Sequence, residues 1–363
     1  MKNLIVVAGA RPNFMKVAPV LAELRRRGGL FRPVLVHTGQ HYDEQMSGVF
    51  FEQLGIPAPD AHLGAGAGTH GAQTARILES FEKFLMEQPE KPAGVMVAGD
   101  VNSTVACALA AAKLQIRVAH LESGLRSFDR AMPEEINRIV TDSISDLLLV
   151  SEPAGEVNLR NEGIPPERIV FAGNVMIDTL VKQLENARAL SARTKYGAEA
   201  GKYALVTLHR PSNVDVPERL RGLVQVFQDV ARRMPVIFPV HPRTRQRLEG
   251  LALSATPGVH FTDPMPYREM LSLQSEAAVV VTDSGGMQEE TSYLGVPCLT
   301  LRANTERPVT LTLGTNTLVP GDPQEVAGYL NAIAEGKYKR GQAIPGWDGH
   351  AAERVVDALA AWR

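Results

Sequence analysis

The sequence predicts an α/β protein made of two doubly wound halves, each built on a parallel sheet. Short apolar runs rich in Val, Ile and Leu alternate with longer amphipathic segments, the pattern of strands feeding crossover helices. The alternation pauses once near the middle of the chain and then restarts. The polar and glycine-bearing stretches fall just after the apolar runs, where open α/β sheets bind their ligands.

The elements follow in order. Residues 4–8, 33–36, 94–98, 117–121 and 147–150 are apolar, short and flanked by turn residues, so they read as buried parallel strands. Residues 16–27, 102–113 and 133–144 read as the helices between them. A polar, helix-like stretch over 175–200 closes near Gly197 and Gly201. Strands are expected again over 203–208, 236–239, 259–262, 278–282 and 297–301. After the turn at Gly346-Trp347-Asp348-Gly349, residues 351–362 form an amphipathic helix candidate. The expected organisation is a first domain over 1–173, a connecting segment over 174–199 and a second domain over 200–345. A C-terminal helix within 346–363 is expected to pack back on the first domain.

Composition narrows the function classes. The chain has 363 residues, about two domains at roughly 150 residues each. Lys plus Arg number 38 against 40 Asp plus Glu, a net charge of −2, which gives no reason to expect nucleic acid or an acidic membrane as partner. Cys107 and Cys298 both lie in apolar runs and read as core residues rather than as a disulfide or a metal site. No apolar stretch approaches the ~20 residues of a membrane span, and the run after Asn3 is too short for a signal-peptide core. A cytoplasmic protein is expected.

The strand exits carry the chemistry-bearing residues. After the first strand, Arg11 and Lys16 flank a helix start at Pro12, a place suited to an anion; alternatively both are solvated surface cations. Asp100 follows the strand over 94–98 and either caps the next helix or points into the crevice. Glu122 ends an apolar run, where packing does not explain a carboxylate. Glu134 and Arg138 stand four apart on one helix face, as a surface ion pair or as part of a site. Convergence of Asp100, Glu122 and Glu134 would separate their proton affinities and suit acid/base work. In the second half, His209 and His241 follow successive strands. Asp283-Ser284-Gly285-Gly286 makes a tight turn into a helix that offers backbone N–H groups to a diphosphate, and Glu290 lies one turn further on, where it can accept from ribose hydroxyls. Arg307 stands near another helix start.

Two tempting patterns fall away. Gly66-Ala67-Gly68-Thr69-His70-Gly71 matches G-x-G-x-x-G but follows no apolar strand, so it reads as a flexible loop and no nicotinamide cofactor is expected. His37 and His41 are four apart across loop-like Thr38-Gly39-Gln40 with no third ligand, so no metal is expected.

Taken together, these motifs resemble the non-hydrolysing UDP-N-acetylglucosamine 2-epimerases along nearly the whole chain. The resemblance implies two Rossmann-like domains facing a cleft, of the glycosyltransferase-B type. It implies interconversion of UDP-GlcNAc and UDP-ManNAc without NAD or metal, and a homodimer. It assigns catalytic roles to Asp100, Glu122, Glu134 and His209, the last near the nucleotide phosphates. Arg11, Lys16, Arg138, His241 and Arg307 become nucleotide or substrate contacts, Ser284, Gly285 and Gly286 the diphosphate loop, and Glu290 the ribose ligand. Gln40 and His41 resemble part of an activator site, and Arg210 is a candidate for the same role. Asn13, Pro211-Ser212, Val309 and His241-Pro242-Arg243-Thr244 depart from the commonest family pattern.

The chemistry explains the residue types. The C2–H of an N-acetylhexosamine has no neighbouring ketone, so direct proton exchange is not expected. Loss of UDP from C1 with loss of the C2 proton gives 2-acetamidoglucal, and re-addition of UDP with protonation of the other face completes the epimerisation. Such a site needs cations and helix N–H groups for the departing diphosphate and carboxylates for the proton. The alternatives are a 2-epimerase for UDP-2,3-diacetamido-glucuronate, with Arg210 or Arg243 meeting the extra carboxylate, and a hydrolysing UDP-GlcNAc 2-epimerase. More distant are a UDP-sugar glycosyltransferase and a non-catalytic sugar-nucleotide sensor.

Overall fold

The computed structural model describes residues 1–40, 51 and 53–362. Its described residues divide into two compact units, Met1–Val181 with Pro345–Arg363, and Lys182–Ile344.

The first unit runs β1 (Asn3–Ala8), α1 (Arg11–Arg27), β2 (Arg32–His37), β3 (Ala61–His62), α2 (His70–Met86), β4 (Gly94–Ala98), α3 (Asn102–Lys113), β5 (Val118–Ser123), α4 (Pro133–Ile144), β6 (Leu147–Val150), α5 (Pro153–Asn161) and β7 (Ile169–Phe171). Helix α6 (Val175–Ala189) carries the chain across the division. The seven strands are parallel, in the order β3-β2-β1-β4-β5-β6-β7. Both faces are covered, which is why β1 and β4 are buried almost throughout. On one face Ile5, Val7, Val95 and Val97 pack with Ile77, Phe81 and Leu85 of α2 and the alanines of α3.

The second unit runs β8 (Ala204–Thr207), α7 (Pro211–Val214), α8 (Pro217–Ala231), β9 (Val236–Pro239), α9 (Pro242–Gly250), β10 (Val259–Thr262), α10 (Tyr267–Ser275), β11 (Val279–Thr282), α11 (Gly285–Leu294), β12 (Cys298–Thr300), α12 (Val309–Thr312), β13 (Asn316–Leu318) and α13 (Pro323–Ala334). Its six parallel strands take the order β10-β9-β8-β11-β12-β13. Numbered from its own first strand this is 3-2-1-4-5-6, the order that opens the first sheet. Each sheet therefore has a switch point, between β1 and β4 and between β8 and β11, where successive connections leave in opposite directions. Cys107 and Cys298 are buried and free.

The C-terminal helix α14 (Ala351–Ala361) belongs to the first unit. Asp178 accepts from the backbone N–H groups of Ala351 and Ala352 and so caps it, while Trp347 donates its indole N–H to the Ser151 carbonyl.

Several elements differ from the sequence reading. Helix α1 begins at Arg11 rather than 16, because Pro12 fits the first turn, and it continues through Pro19. Proline lacks the N–H that the Met15 carbonyl would otherwise receive, and Thr179 Oγ1 donates to that carbonyl at 2.7 Å instead. The stretch expected to be helical to 200 ends at Ala189; left-handed Ser191 and a short 3-10 turn over Ala192–Tyr196 follow. The G-x-G-x-x-G stretch is loop only to Thr69, which caps α2, so His70 and Gly71 are helical. No helix among the described residues is long and apolar enough to cross a membrane.

Candidate active site

In the first unit the exits of β1, β4 and β5 carry one connected set of polar side chains. Asn13 braces it. Its Oδ1 accepts from the N–H groups of Gly9 and Ala10, and its Nδ2 donates to the Ala98 carbonyl at 2.8 Å. Both a donor and an acceptor are needed there, which a carboxylate in that place would not supply. One turn on, Lys16 is buried and donates to Glu122 Oε1 at 2.8 Å. The expectation of a solvated surface cation therefore fails for Lys16, whereas Arg11 is exposed at the first residue of α1. Gly99 lets the lysine through. Its φ is +67°, and a Cβ there would stand 2.7 Å from Lys16 Nζ.

Glu122 is buried and sits at φ +71°, a region that L-residues with side chains rarely occupy. The register of β5 against β6 shifts between Leu121 and Ser123, so Glu122 is the bulged residue and its side chain leaves the alternation of the strand. Such a backbone costs roughly 1–3 kcal/mol and persists only because its surroundings hold it. Beneath it, buried His120 lies between the Gly99 carbonyl (2.8 Å) and Asp142 (2.6 Å). Asp142 also accepts from the Gly124 N–H and pairs with Arg126 at 2.7 Å. Burial pushes Asp142 up, but the neighbouring His120 and Arg126 outweigh it and hold the carboxyl below its ordinary range.

Asp100 does not cap α3. Its carboxylate receives both Nη2 (2.7 Å) and Nε (3.0 Å) of Arg138, while Gln40 Oε1 accepts from the N–H and hydroxyl of Ser103 at the start of α3. The expected Glu134–Arg138 pair is corrected as well. Arg138 pairs with Glu135, three residues before it, at 2.6 Å. Glu135 is the buried one because the chain over Ser127 and Phe128 donates both backbone N–H groups to it. Glu134 is half-buried and makes no hydrogen bond or ion pair with another described residue. Asp100 and Glu122 thus leave neighbouring strands at one sheet end, and Glu134 opens the helix that carries Asp100's partner. His41 lies outside the described residues.

In the second unit the switch point is organised by Asp283, which is fully buried. It accepts from the backbone N–H groups of His209 (3.0 Å) and Arg210 (2.9 Å), from Asn213 Nδ2 (3.0 Å), and pairs with His209 Nδ1 at 2.8 Å. Burial raises this carboxyl, yet His209, Asn213 and Arg210 together hold it below its ordinary value. Arg210 also donates Nε to the Asp283 carbonyl. The His209 side chain is 44% exposed, and its ring lies 5.9 Å from that of His241, which follows β9 and caps α9 by accepting from the Arg243 N–H.

Ser284 is the N-cap of α11, and Gly285 and Gly286 form its first turn. A Cβ on Gly285 would stand 3.1 Å from Glu306 Oε1 and 3.2 Å from Arg307 Nη1, tighter than most real contacts. Arg307 is buried beside that turn, on Glu289 (2.9 Å) and Glu306 (2.6 Å). Glu290 is buried and accepts from the Tyr267 hydroxyl at 2.8 Å; burial pushes its carboxyl up to about 7. Among the described residues no group of three or more His, Cys, Asp or Glu is placed to hold a metal ion.

Sequence reading took Asp283 only as the first residue of the glycine turn and did not single out Asn213, Tyr267 or Glu135. Asp283 carried a usable signal: it is a carboxylate ending an apolar run, the feature that marked Glu122. The others act through partners far along the chain and gave none.

Comparison with known proteins finds relatives along nearly the whole chain. A family model described as UDP-N-acetylglucosamine 2-epimerase matches residues 22–360. The chain is 41% identical to a UDP-N-acetylglucosamine 2-epimerase of Methanocaldococcus jannaschii, covering 98% of each protein. It is also 41% identical to a UDP-2,3-diacetamido-2,3-dideoxy-D-glucuronate 2-epimerase of Pseudomonas aeruginosa, covering 99% of each. A crystal structure of the Methanocaldococcus jannaschii UDP-GlcNAc 2-epimerase in complex with UDP-GlcNAc and UDP matches with TM-score 0.89 at 39% identity, over 99% of each chain.

Proposed function

We propose, from the premise that this chain belongs to the UDP-N-acetylglucosamine 2-epimerase family, that it interconverts UDP-GlcNAc and UDP-ManNAc. The observation that carries the reading is Glu122, a buried carboxylate at φ +71° against buried Lys16, one strand from Asp100. Packing alone gives no reason to keep that arrangement, and proton transfer does. The C2 proton passes to a carboxylate of the first unit, its electron pair becomes the C1=C2 bond of 2-acetamidoglucal, and the C1–O bond breaks with its pair going to UDP. A second carboxylate protonates the opposite face, and the UDP oxygen adds back to C1. Glu134, with no partner among the described residues, and Asp100, fixed by Arg138, supply the remaining proton sites. In the second unit His209 and the Ser284–Gly286 turn take the diphosphate and Glu290 the ribose. No electrons are gained or lost overall, so the sequence of steps requires no redox cofactor.

A second reading, epimerisation of UDP-2,3-diacetamido-glucuronate, is supported by the equal identity to the Pseudomonas aeruginosa relative. The two cations suggested for its extra carboxylate are engaged elsewhere: Arg243 on Asp215, Arg210 on the Asp283 carbonyl. That favours the neutral sugar. Family resemblance also supports a homodimer, which sedimentation of the purified protein checks, and a cytoplasmic location, which cell fractionation checks. The deciding experiment is proton NMR of each UDP-sugar with the enzyme in D₂O. Conversion of UDP-GlcNAc to UDP-ManNAc supports the first reading, conversion of the uronate alone the second. Free ManNAc with UDP would replace both by the hydrolysing reaction.

A further inference from the structure

Asp283 has a task beyond tying down a loop. Its two oxygens are divided. Oδ2 accepts from the N–H groups of Arg210 (2.9 Å) and His209 (3.0 Å) and from Asn213 Nδ2 (3.0 Å), donors that cannot reverse; Oδ1 takes only the longer arm of the His209 N–H (3.2 Å) and faces His209 Nδ1 at 2.8 Å. An ionised carboxylate only accepts, so a neutral His209 must carry its proton on Nδ1. Nε2 is then a bare lone pair on a side chain 44% exposed.

We infer that Asp283 is a positioning residue that holds His209 in the Nδ1–H form, so that Nε2 engages an anion such as the substrate diphosphate only after the ring takes up a second proton. Nucleotide-sugar binding is therefore coupled to proton uptake at this ring. The inference rests on the reading of His209 as a phosphate-facing group. The charged and titratable groups around the ring are Asp283 from the β11 exit, His241 from the β9 exit and Arg210 beside it; Arg243 stands next to His241.

The test has two parts. Nitrogen-15 NMR of the unliganded enzyme reads the tautomer of His209 directly, and Nδ1–H is expected. A neutral Nε2–H ring in the wild-type protein, or a ring already doubly protonated before the nucleotide sugar binds, overturns the inference whatever any variant does. Calorimetry with UDP-GlcNAc in two buffers of different ionisation enthalpy then counts protons taken up. Subtracting the His209→Gln result removes contributions from Glu290 and other groups. In Asp283→Asn the amide oxygen must stay on the Arg210 and Asn213 side, so the NH₂ turns to Nδ1 and forces Nε2–H. Proton uptake at His209 should then vanish and kcat fall on the order of 10- to 100-fold, with no additional loss when His209→Gln is combined. Unchanged uptake in folded Asp283→Asn, or losses that multiply in the double variant, contradict it. If the wild-type enzyme turns over neither UDP-sugar, the functional reading fails, while the tautomer result still stands or falls alone.

Discussion

The two units share a strand order and differ in what they set at the switch point. At the exits of β1, β4 and β5 the first unit places ionised pairs in the interior: Lys16 on Glu122, Arg138 on Asp100 and Glu135, Arg126 on Asp142. At the exits of β8 and β11 the second unit places the buried carboxylate of Asp283, which gathers backbone N–H groups, an exposed imidazole and a glycine turn into a helix, with the buried pairs of Arg307 on Glu289 and Glu306 beside that turn. The first arrangement suits groups that must change protonation state in a fixed geometry. The second suits a ligand that brings its own negative charge. Under the proposed function one scaffold order serves proton chemistry in one copy and anion holding in the other, and the difference between the copies lies in the few residues after each strand rather than in the sheets.

The largest expected effect comes from breaking the first arrangement. Glu122→Gln leaves buried Lys16 without its counter-charge, so it should cost about 3–5 kcal/mol of stability and abolish turnover. Denaturant titration and the NMR assay check both. Adding Lys16→Met should restore much of the stability and none of the turnover; recovered turnover would remove Glu122 from the chemistry.

A smaller effect sharpens the second arrangement. The Glu290 carboxyl stands at about 7 because burial disfavours its charge, against about 4.5 when exposed. A raised acid binds more protons folded than unfolded, so its stabilising contribution is complete below the ordinary carboxylate value and is lost as pH rises from there through 7. Glu290→Gln should therefore stabilise the protein progressively across that window and level off above it, by on the order of 3 kcal/mol at pH 8. On the proposed ribose role, the Glu290 contribution to UDP-GlcNAc affinity should weaken as pH drops from 8 to 6, because an ionised carboxylate accepts more strongly than a protonated one, while proton uptake at His209 acts in the opposite direction. Glu290→Gln should remove the first contribution and leave only the second, so affinity in the variant should rise as pH drops. Calorimetric melting and binding at several pH values test the pair of expectations.

The smallest effect concerns Arg243, an exposed cation shared with Arg247 on Asp215. Arg243→Ala should change kcat/KM for UDP-GlcNAc less than twofold. A loss of tenfold or more with UDP-2,3-diacetamido-glucuronate and none with UDP-GlcNAc would point instead to a sugar carrying its own carboxylate.

Much of this fold was legible, and the reason is the parallel sheet. Runs such as Gly94–Ala98 and Leu147–Val150 are buried on both faces and therefore uniformly apolar, and helices Asn102–Lys113 and Pro133–Ile144 begin and end where their sequences predict. Strands β3, β7 and β13 have two or three residues and are too short to show a period. The site was legible as a set of strand-exit residues and not as a set of contacts. Lys16 and Glu122 are 106 residues apart and His209 and Asp283 are 74 apart, distances at which spacing carries no geometry. The choice between Glu134 and Glu135 for Arg138 was also invisible, because Ser127 and Phe128 decide which of two adjacent acids is drawn inward.

The division of labour between the units is tested most directly by Glu134→Gln, since Glu134 has no hydrogen-bond or ion-pair partner among the described residues and its loss leaves no buried charge behind. The variant should melt with the wild type and bind UDP with Kd within threefold, while deuterium incorporation at C2 of UDP-GlcNAc in D₂O falls at least 100-fold, in the range removal of an acid/base group costs. Exchange within threefold of wild type, or exchange and UDP affinity lost together, would contradict the assignment of proton chemistry to the first unit's carboxylates.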